Sequence, residues 1–161
     1  MKRTWMTAGL LAVAGTALAA DLPKEGTFDF TACWSGTANM MQFSKSQFAF
    51  GYEMTGSTRS DPPGAIFDHH SYRCIGTNAS FDKKLHSLTV CEAVDKDGDK
   101  RLTFFQTGAD GKVHREFIAG TGKYEGMVET DAKVQPLGQF PTIKAGTFQN
   151  CNRQTGKYRL K

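Results

Sequence analysis

From residue 27 to the end of the chain the apolar side chains recur at every second position, in short runs broken by glycine-rich turns. Phe28, Phe30, Ala32 and Trp34 form one run; Phe48, Phe50, Tyr52 and Met54 form another; Leu88, Val90 and Val94 a third. Alternation rich in aromatic and β-branched residues marks strands with one buried face, and no comparable stretch carries a helical period. The pattern predicts strands near 27–35, 37–43, 47–55, 70–77, 86–94, 101–107, 113–119, 126–134, 143–149 and 153–160. Some neighbours are expected to be one bent strand, with Gly36 a candidate bend. The run from Gly56 to Asp68, with "SDPPGA" in its middle, is the clearest irregular loop. Eight to ten short strands on tight turns make an antiparallel barrel or sandwich.

The N-terminus differs in character. Lys2 and Arg3 precede an apolar stretch from Trp5 to about Leu18 that ends in small residues and is short for a bilayer span, the pattern of a secretory signal peptide. Cleavage after Ala17-Leu18-Ala19 makes residues 1–19 the signal and 20–161 one domain, expected in the periplasm of a bacterium or its medium. No later stretch is apolar enough for a transmembrane helix, so no membrane insertion is expected. Lys2 and Arg3 leave with the signal, taking 20 basic residues to 18 against 16 acidic, and the formal charge from +4 to +2. Scattered basic residues at that balance give no footing for nucleic acid.

Turn symmetry predicts registers. "SKSQ" at 44–47 centres a hairpin that sets Phe43 opposite Phe48, Met41 opposite Phe50 and Asn39 opposite Tyr52. A hairpin centred between Asp82 and Lys83 opposes Cys74 and Cys91, close enough to bridge. Cys33 and Cys151 remain, and their bridge ties the first strand to the last. An oxidising compartment favours both bonds, and a loop so long contributes about 4 to 5 kcal/mol in the chain-entropy model.

"AVDKDGDKRL" spaces Asp95, Asp97 and Asp99 as the start of an EF-hand loop would. The sixth position is then Lys100 where glycine is needed, the twelfth is Gln106 where glutamate is needed, and the flanks are strands. Asp97-Gly98 reads instead as a two-residue hairpin turn. In that register Glu92 falls opposite Thr103, while the 82/83 hairpin sets Arg73 opposite Glu92. A carboxylate held by a guanidinium inside an apolar lumen orients a ligand or acts as a base; the same pair on the outer wall is an ordinary ion pair. Arg73, Glu92, Tyr52, Asn39, Glu53 and Thr103 are therefore the candidate pocket residues, although Glu53 faces away from Tyr52 unless a bulge intervenes.

His69 and His70 end the long loop and are candidates for a pocket rim; with His86 and His114 they match no zinc spacing, and no metal or cofactor is expected. No nucleophile elbow, Walker or dinucleotide glycine pattern is present, nor a C-x-x-C pair.

"FDHHSYRCIGT" at 67–77, "CEAVDKDGDK" at 91–100 and "AGTGKYEGM" at 119–127 occur in an order that resembles the bacterial secreted members of the allene oxide cyclase-like and dirigent-like barrels, of calycin type. Gly120, Gly122 and Gly126 fit a tight strand-to-strand passage with a bulge. The resemblance implies a single antiparallel up-and-down β-barrel of about eight strands, lipocalin-like in shape, with a cavity for a small apolar or aromatic molecule, and it leaves dimers or trimers open. The leading expectation is a secreted barrel that binds a small hydrophobic ligand unchanged. A cofactor-independent cyclase, isomerase or lyase is the alternative, and an interaction module acting through loop 56–70 a third.

Overall fold

The computed structural model describes residues 22–161 apart from Asp82 and Ala109, with Gln139 described by its backbone alone. The predicted signal segment at residues 1–19 lies outside the described residues. Eight antiparallel strands form one sheet that curls into a nearly closed up-and-down barrel. They are β1 (Glu25–Gln42), β2 (Phe48–Ser60), β3 (Ser71–Phe81), β4 (Lys84–Val94), β5 (Lys100–Thr107), β6 (Val113–Gly120), β7 (Val128–Gln139) and β8 (Thr147–Arg159). A single 3-10 turn, Gly122–Tyr124, joins β6 to β7. Ten predicted segments become eight because the first two run together as β1 and the last two as β8. Gly36 does not break β1: a Cβ there would come within 2.3 Å of the Glu53 carbonyl oxygen, so glycine permits close approach of β2.

The β3–β4 hairpin has the predicted register, Cys74 opposite Cys91 and Arg73 opposite Glu92. Cys33 stands opposite Cys151 on β1 and β8, and both disulfides form. They lie on opposite sides of the wall: Cys74 is buried in the lumen, while Cys33 is exposed outside.

Two other hairpins slip by one residue. At β1–β2, Gln42 pairs with Phe48, so Asn39 faces Gly51 and Ala38 faces Tyr52. The cause is Ser44, whose Oγ accepts the backbone N–H groups of Ser46 (3.3 Å) and Gln47 (3.1 Å) and tightens the turn. At β4–β5, Val94 pairs with Lys100 and Glu92 with Leu102, not with Thr103. Here Asp95 Oδ1 accepts the N–H groups of Asp97 (2.9 Å) and Asp99 (3.0 Å), and Gly98 takes φ +88°. The result is a three-residue loop with a left-handed glycine rather than a two-residue turn.

One end of the barrel is packed solid. Phe28 and Phe30 of β1, Ile66 and Phe67 of the loop after β2, Tyr124, Met127 and Tyr158 form the buried cluster. The loop is held by inward polar groups of β2: Thr58 Oγ1 bonds the Phe67 carbonyl, and Ser60 Oγ donates to the Ile66 carbonyl at 2.8 Å. Asp68 completes it by accepting the N–H groups of Ser60 (2.9 Å) and Gly64 (2.7 Å).

The sheet's two edges, β6 and β7, lie side by side, and among the described residues no backbone ladder joins them. A buried bidentate ion pair between Arg115 of β6 and Glu129 of β7 spans the seam, with side-chain exposures of 0% and 3%. The Arg115 guanidinium also lies 5.0 Å from the Phe28 ring centroid.

Candidate ligand-binding site

Between the packed end and the mid-barrel the lumen holds a cavity of about 250 Å³. Its walls come from alternate positions of the strands: Trp34 of β1, Met54 of β2, Tyr72 of β3, Thr89 of β4 and Phe105 of β5. Polar groups are few, chiefly Thr103, Asn150, Asn152 and Gln154. Arg101 is the one charged side chain among the described residues lining it.

Arg101 reaches the lumen because of the slipped β4–β5 turn. Successive strand residues face opposite sides, so a shift of one residue sends Arg101, Thr103 and Phe105 inward and sets Leu102 and Phe104 on the outer face. Its guanidinium lies 4.0 Å from the Phe67 ring centroid and 5.3 Å from that of Phe30. Phe67 is set below it by a left-handed backbone, φ +70°, seldom adopted by bulky residues. Burial lowers Arg101 from its ordinary value to about 10, which still leaves it charged at neutral pH.

A hydrogen-bonded chain runs outward from Arg101. Its Nε donates to His70 Nδ1 (3.4 Å), so the His70 proton sits on Nε2, facing Tyr124 Oη at 3.1 Å. The Tyr124 hydroxyl in turn donates to Asp95 Oδ2 at 3.0 Å. Burial, with the Arg101 charge adding to it, pushes His70 down to about 3, so the ring is neutral. Against the upward push of burial, Lys123 and Tyr124 hold the Asp95 carboxyl below its usual range.

The three aspartates enclose an ammonium. Lys123 Nζ lies 2.8 Å from Asp95, 2.6 Å from Asp97 and 3.7 Å from Asp99. Gly122 makes this possible: it takes φ +53°, and a Cβ there would come 1.8 Å from Asp99 Oδ1. Among the described residues no cluster of histidine, cysteine and acidic groups is arranged to hold a metal ion, and no helix is long and apolar enough to cross a membrane.

Several sequence-derived candidates fall elsewhere. Arg73 and Glu92 are opposed but face outward, since the neighbouring Cys74 and Cys91 take the lumen side. Arg73 Nε pairs with Glu53 at 2.7 Å, and Glu92 with Lys100 at 3.2 Å, all of them exposed. That removes Arg73, Glu92 and Glu53 from the pocket. Asn39 is exposed on β1 as well. Tyr52 does turn inward, its hydroxyl bonded to Thr89 and its ring 5.8 Å from that of Phe148, just beyond the cavity lining. Thr103 lines the cavity and is buried, paired with Cys91 rather than Glu92. His69 is exposed beside Asp68, and His70 is 2% exposed behind Arg101; both line a second hollow, together with Asp95, Lys123 and Tyr124.

Sequence reasoning missed Arg101, Tyr72 and Gln154. The Tyr72 ring lies over Gly56, where a Cβ would come within 2.6 Å of its hydroxyl oxygen. That hydroxyl and Gln154 Oε1 are buried with no hydrogen-bond partner among the described residues. Tyr72 and Arg101 stand close enough for each to feel the other electrostatically, and burial raises the Tyr72 phenol well above its ordinary value. Compared with family models, curated proteins and solved structures, the chain matches none.

Proposed function

We propose that the chain is a secreted or periplasmic barrel that holds a small hydrophobic or aromatic molecule in its lumen and releases it unchanged. The observation that carries this reading is the cavity of about 250 Å³, walled by aromatic and apolar side chains with a few polar groups. Protein interiors are ordinarily packed to the density of organic crystals, so a space of this size inside a small barrel calls for an occupant. The two disulfides favour an oxidising compartment, in line with the signal-like N-terminus. Membership of the allene oxide cyclase-like and dirigent-like barrels is part of the proposal. It is supported by the way Lys123 of "GTGKYEG" enters the "DKDGD" turn and joins the two motifs.

The unpartnered Tyr72 hydroxyl beside Arg101 favours one second reading, a cofactor-independent isomerase or cyclase. A phenol kept protonated by burial serves there as a hydrogen-bond donor to negative charge that develops on a substrate.

Trp34, the one tryptophan after the signal segment, lines the cavity and supplies the readout. Titration with small aromatic and aliphatic molecules is expected to change its fluorescence saturably, at one ligand per chain, with the ligand recovered unaltered by mass spectrometry. Recovery of a product of changed structure would favour the enzyme. Absence of saturable binding across the panel would refute both.

A further inference from the structure

We infer that the ligand is a small organic anion, an apolar body bearing one carboxylate, and that Arg101 is the group that binds the carboxylate. The inference rests on the lumen being the binding site and adds the chemical class of what fills it.

Buried arginines are ordinarily paired, because an isolated charge removed from water is strongly disfavoured. Arg115 obeys this rule through Glu129. Arg101 does not: among the described residues no carboxylate lies within ion-pair distance, and its only hydrogen bond is from Nε to a neutral imidazole. The nearest acid along the chain of hydrogen bonds, Asp95, is two side chains away and already holds Lys123. The terminal nitrogens of Arg101 therefore meet no acceptor among the described residues, in a cavity with no other charge. A guanidinium presents two parallel N–H groups that match a carboxylate, the strongest common pairing for it. Tyr72 supplies a further donor, a buried and unpartnered hydroxyl on the same cavity wall. A second cation beside Arg101 would be repelled, and a neutral ligand would add no charge pairing to the Phe67 and Phe30 rings against which the guanidinium rests.

The rest of the cavity limits the body. Its volume of about 250 Å³ lies just below the range of most ligand pockets, about 300 to 1,000 Å³. Trp34, Met54 and Phe105 offer apolar and aromatic surface to it. A short aromatic or aliphatic monocarboxylic acid fits both ends; a long-chain fatty acid does not.

The test compares three probes of one size: 3-phenylpropionate, 3-phenylpropanol and 3-phenylpropylamine, titrated into the purified protein at pH 7.5 by calorimetry and Trp34 fluorescence. The carboxylate is expected to bind about tenfold or more tighter than the alcohol, and the amine weakest, as a charged hydrogen-bonded pair requires. Arg101→Met is expected to abolish the preference and leave the carboxylate no tighter than the alcohol, while Arg101→Lys retains part of it. If Arg101→Met fails to fold, the Arg101→Lys comparison with wild type decides: a carboxylate preference smaller than that of wild type supports the pairing, and a preference as large as that of wild type overturns it. Equal binding of carboxylate and alcohol to wild type would overturn the anion assignment while leaving the binding lumen standing. Binding of none of the three would remove the lumen reading and this inference with it.

Discussion

Among the described residues two arginines are buried, and they are treated in opposite ways. Arg115 lies in the seam where β6 and β7 meet without a ladder, and Glu129 pairs with it in two places. Arg101 lies at the inner end of the lumen with a neutral histidine as its only hydrogen-bond partner among the described residues. Both are held well out of water and both have their basicity lowered, chiefly by burial. A partnered buried charge closes a gap in the sheet that backbone hydrogen bonds leave open. An unpartnered one destabilises the empty protein, a cost that the anion proposed above would recover. On that proposal the seam serves the fold and the lumen serves a ligand.

The largest expected effect lies at the seam. Glu129→Gln leaves the Arg115 charge buried beside a neutral amide, and stability to urea should fall by about 3 to 5 kcal/mol. Replacing both partners, Arg115→Met with Glu129→Leu, should restore most of that loss, because apolar groups of similar volume leave no charge behind. A double variant as unstable as Glu129→Gln would mean that the loss comes from the missing pair itself and not from a charge left without its partner.

Acid should act on the lumen end instead. His70 titrates at about 3 in the folded protein and near 6.5 when unfolded, so between those values the unfolded chain binds a proton that the native chain refuses. The stabilisation is complete above about pH 6.5 and is lost on acidification. It should amount to roughly 2 kcal/mol between pH 7.5 and 5, followed by urea midpoints. Asp95 and Asp68, near the ring, have lowered values and move stability in the same direction only at lower pH. His70→Gln should flatten the profile between pH 5 and 6.5; an unchanged slope would place the titrating group elsewhere.

The smallest effect is expected on the outer wall. Arg73→Met breaks an exposed pair with Glu53 and should barely move the urea midpoint and leave ligand affinity unchanged. A large loss of binding on that change would return the site to the face on which sequence reasoning first placed it.

How far the sequence could be read depended on the turns. The β3–β4 hairpin has Phe81 paired with Lys84 across its two-residue turn, and there the register, the Cys74–Cys91 bridge and the Arg73–Glu92 opposition all follow from counting outward. At Ser44 and Asp95 a short polar side chain caps the turn through its own backbone, and the register moves by one. In a strand, one residue is the difference between lumen and solvent. That is why Thr103, and Arg101 with it, stands on the lumen face beside Cys91 rather than on the outer face beside Glu92. Asp95 at the head of "DKDG" was the available signal, since an aspartate followed three residues later by glycine suits the three-residue loop observed. The Lys123 cage and the Arg115–Glu129 pair join segments 24 and 14 residues apart by routes that no periodicity encodes. The side of the wall taken by Arg73 was undecided for a different reason: both faces of β3 and β4 carry apolar groups, with Ile75, Leu88 and Val90 exposed outside.

The central claim is that Arg101 is kept for an anion at a cost to the empty protein. The most direct measurement is urea denaturation of wild type and Arg101→Met, each with and without saturating 3-phenylpropionate. Without ligand the variant should be at least as stable as wild type; at a ligand concentration a hundredfold above the wild-type dissociation constant, wild type should gain about 2.7 kcal/mol and the variant, binding about tenfold more weakly, only about 1.4 kcal/mol. A variant that loses several kcal/mol when empty, or that gains as much from the ligand as wild type does, would contradict the account.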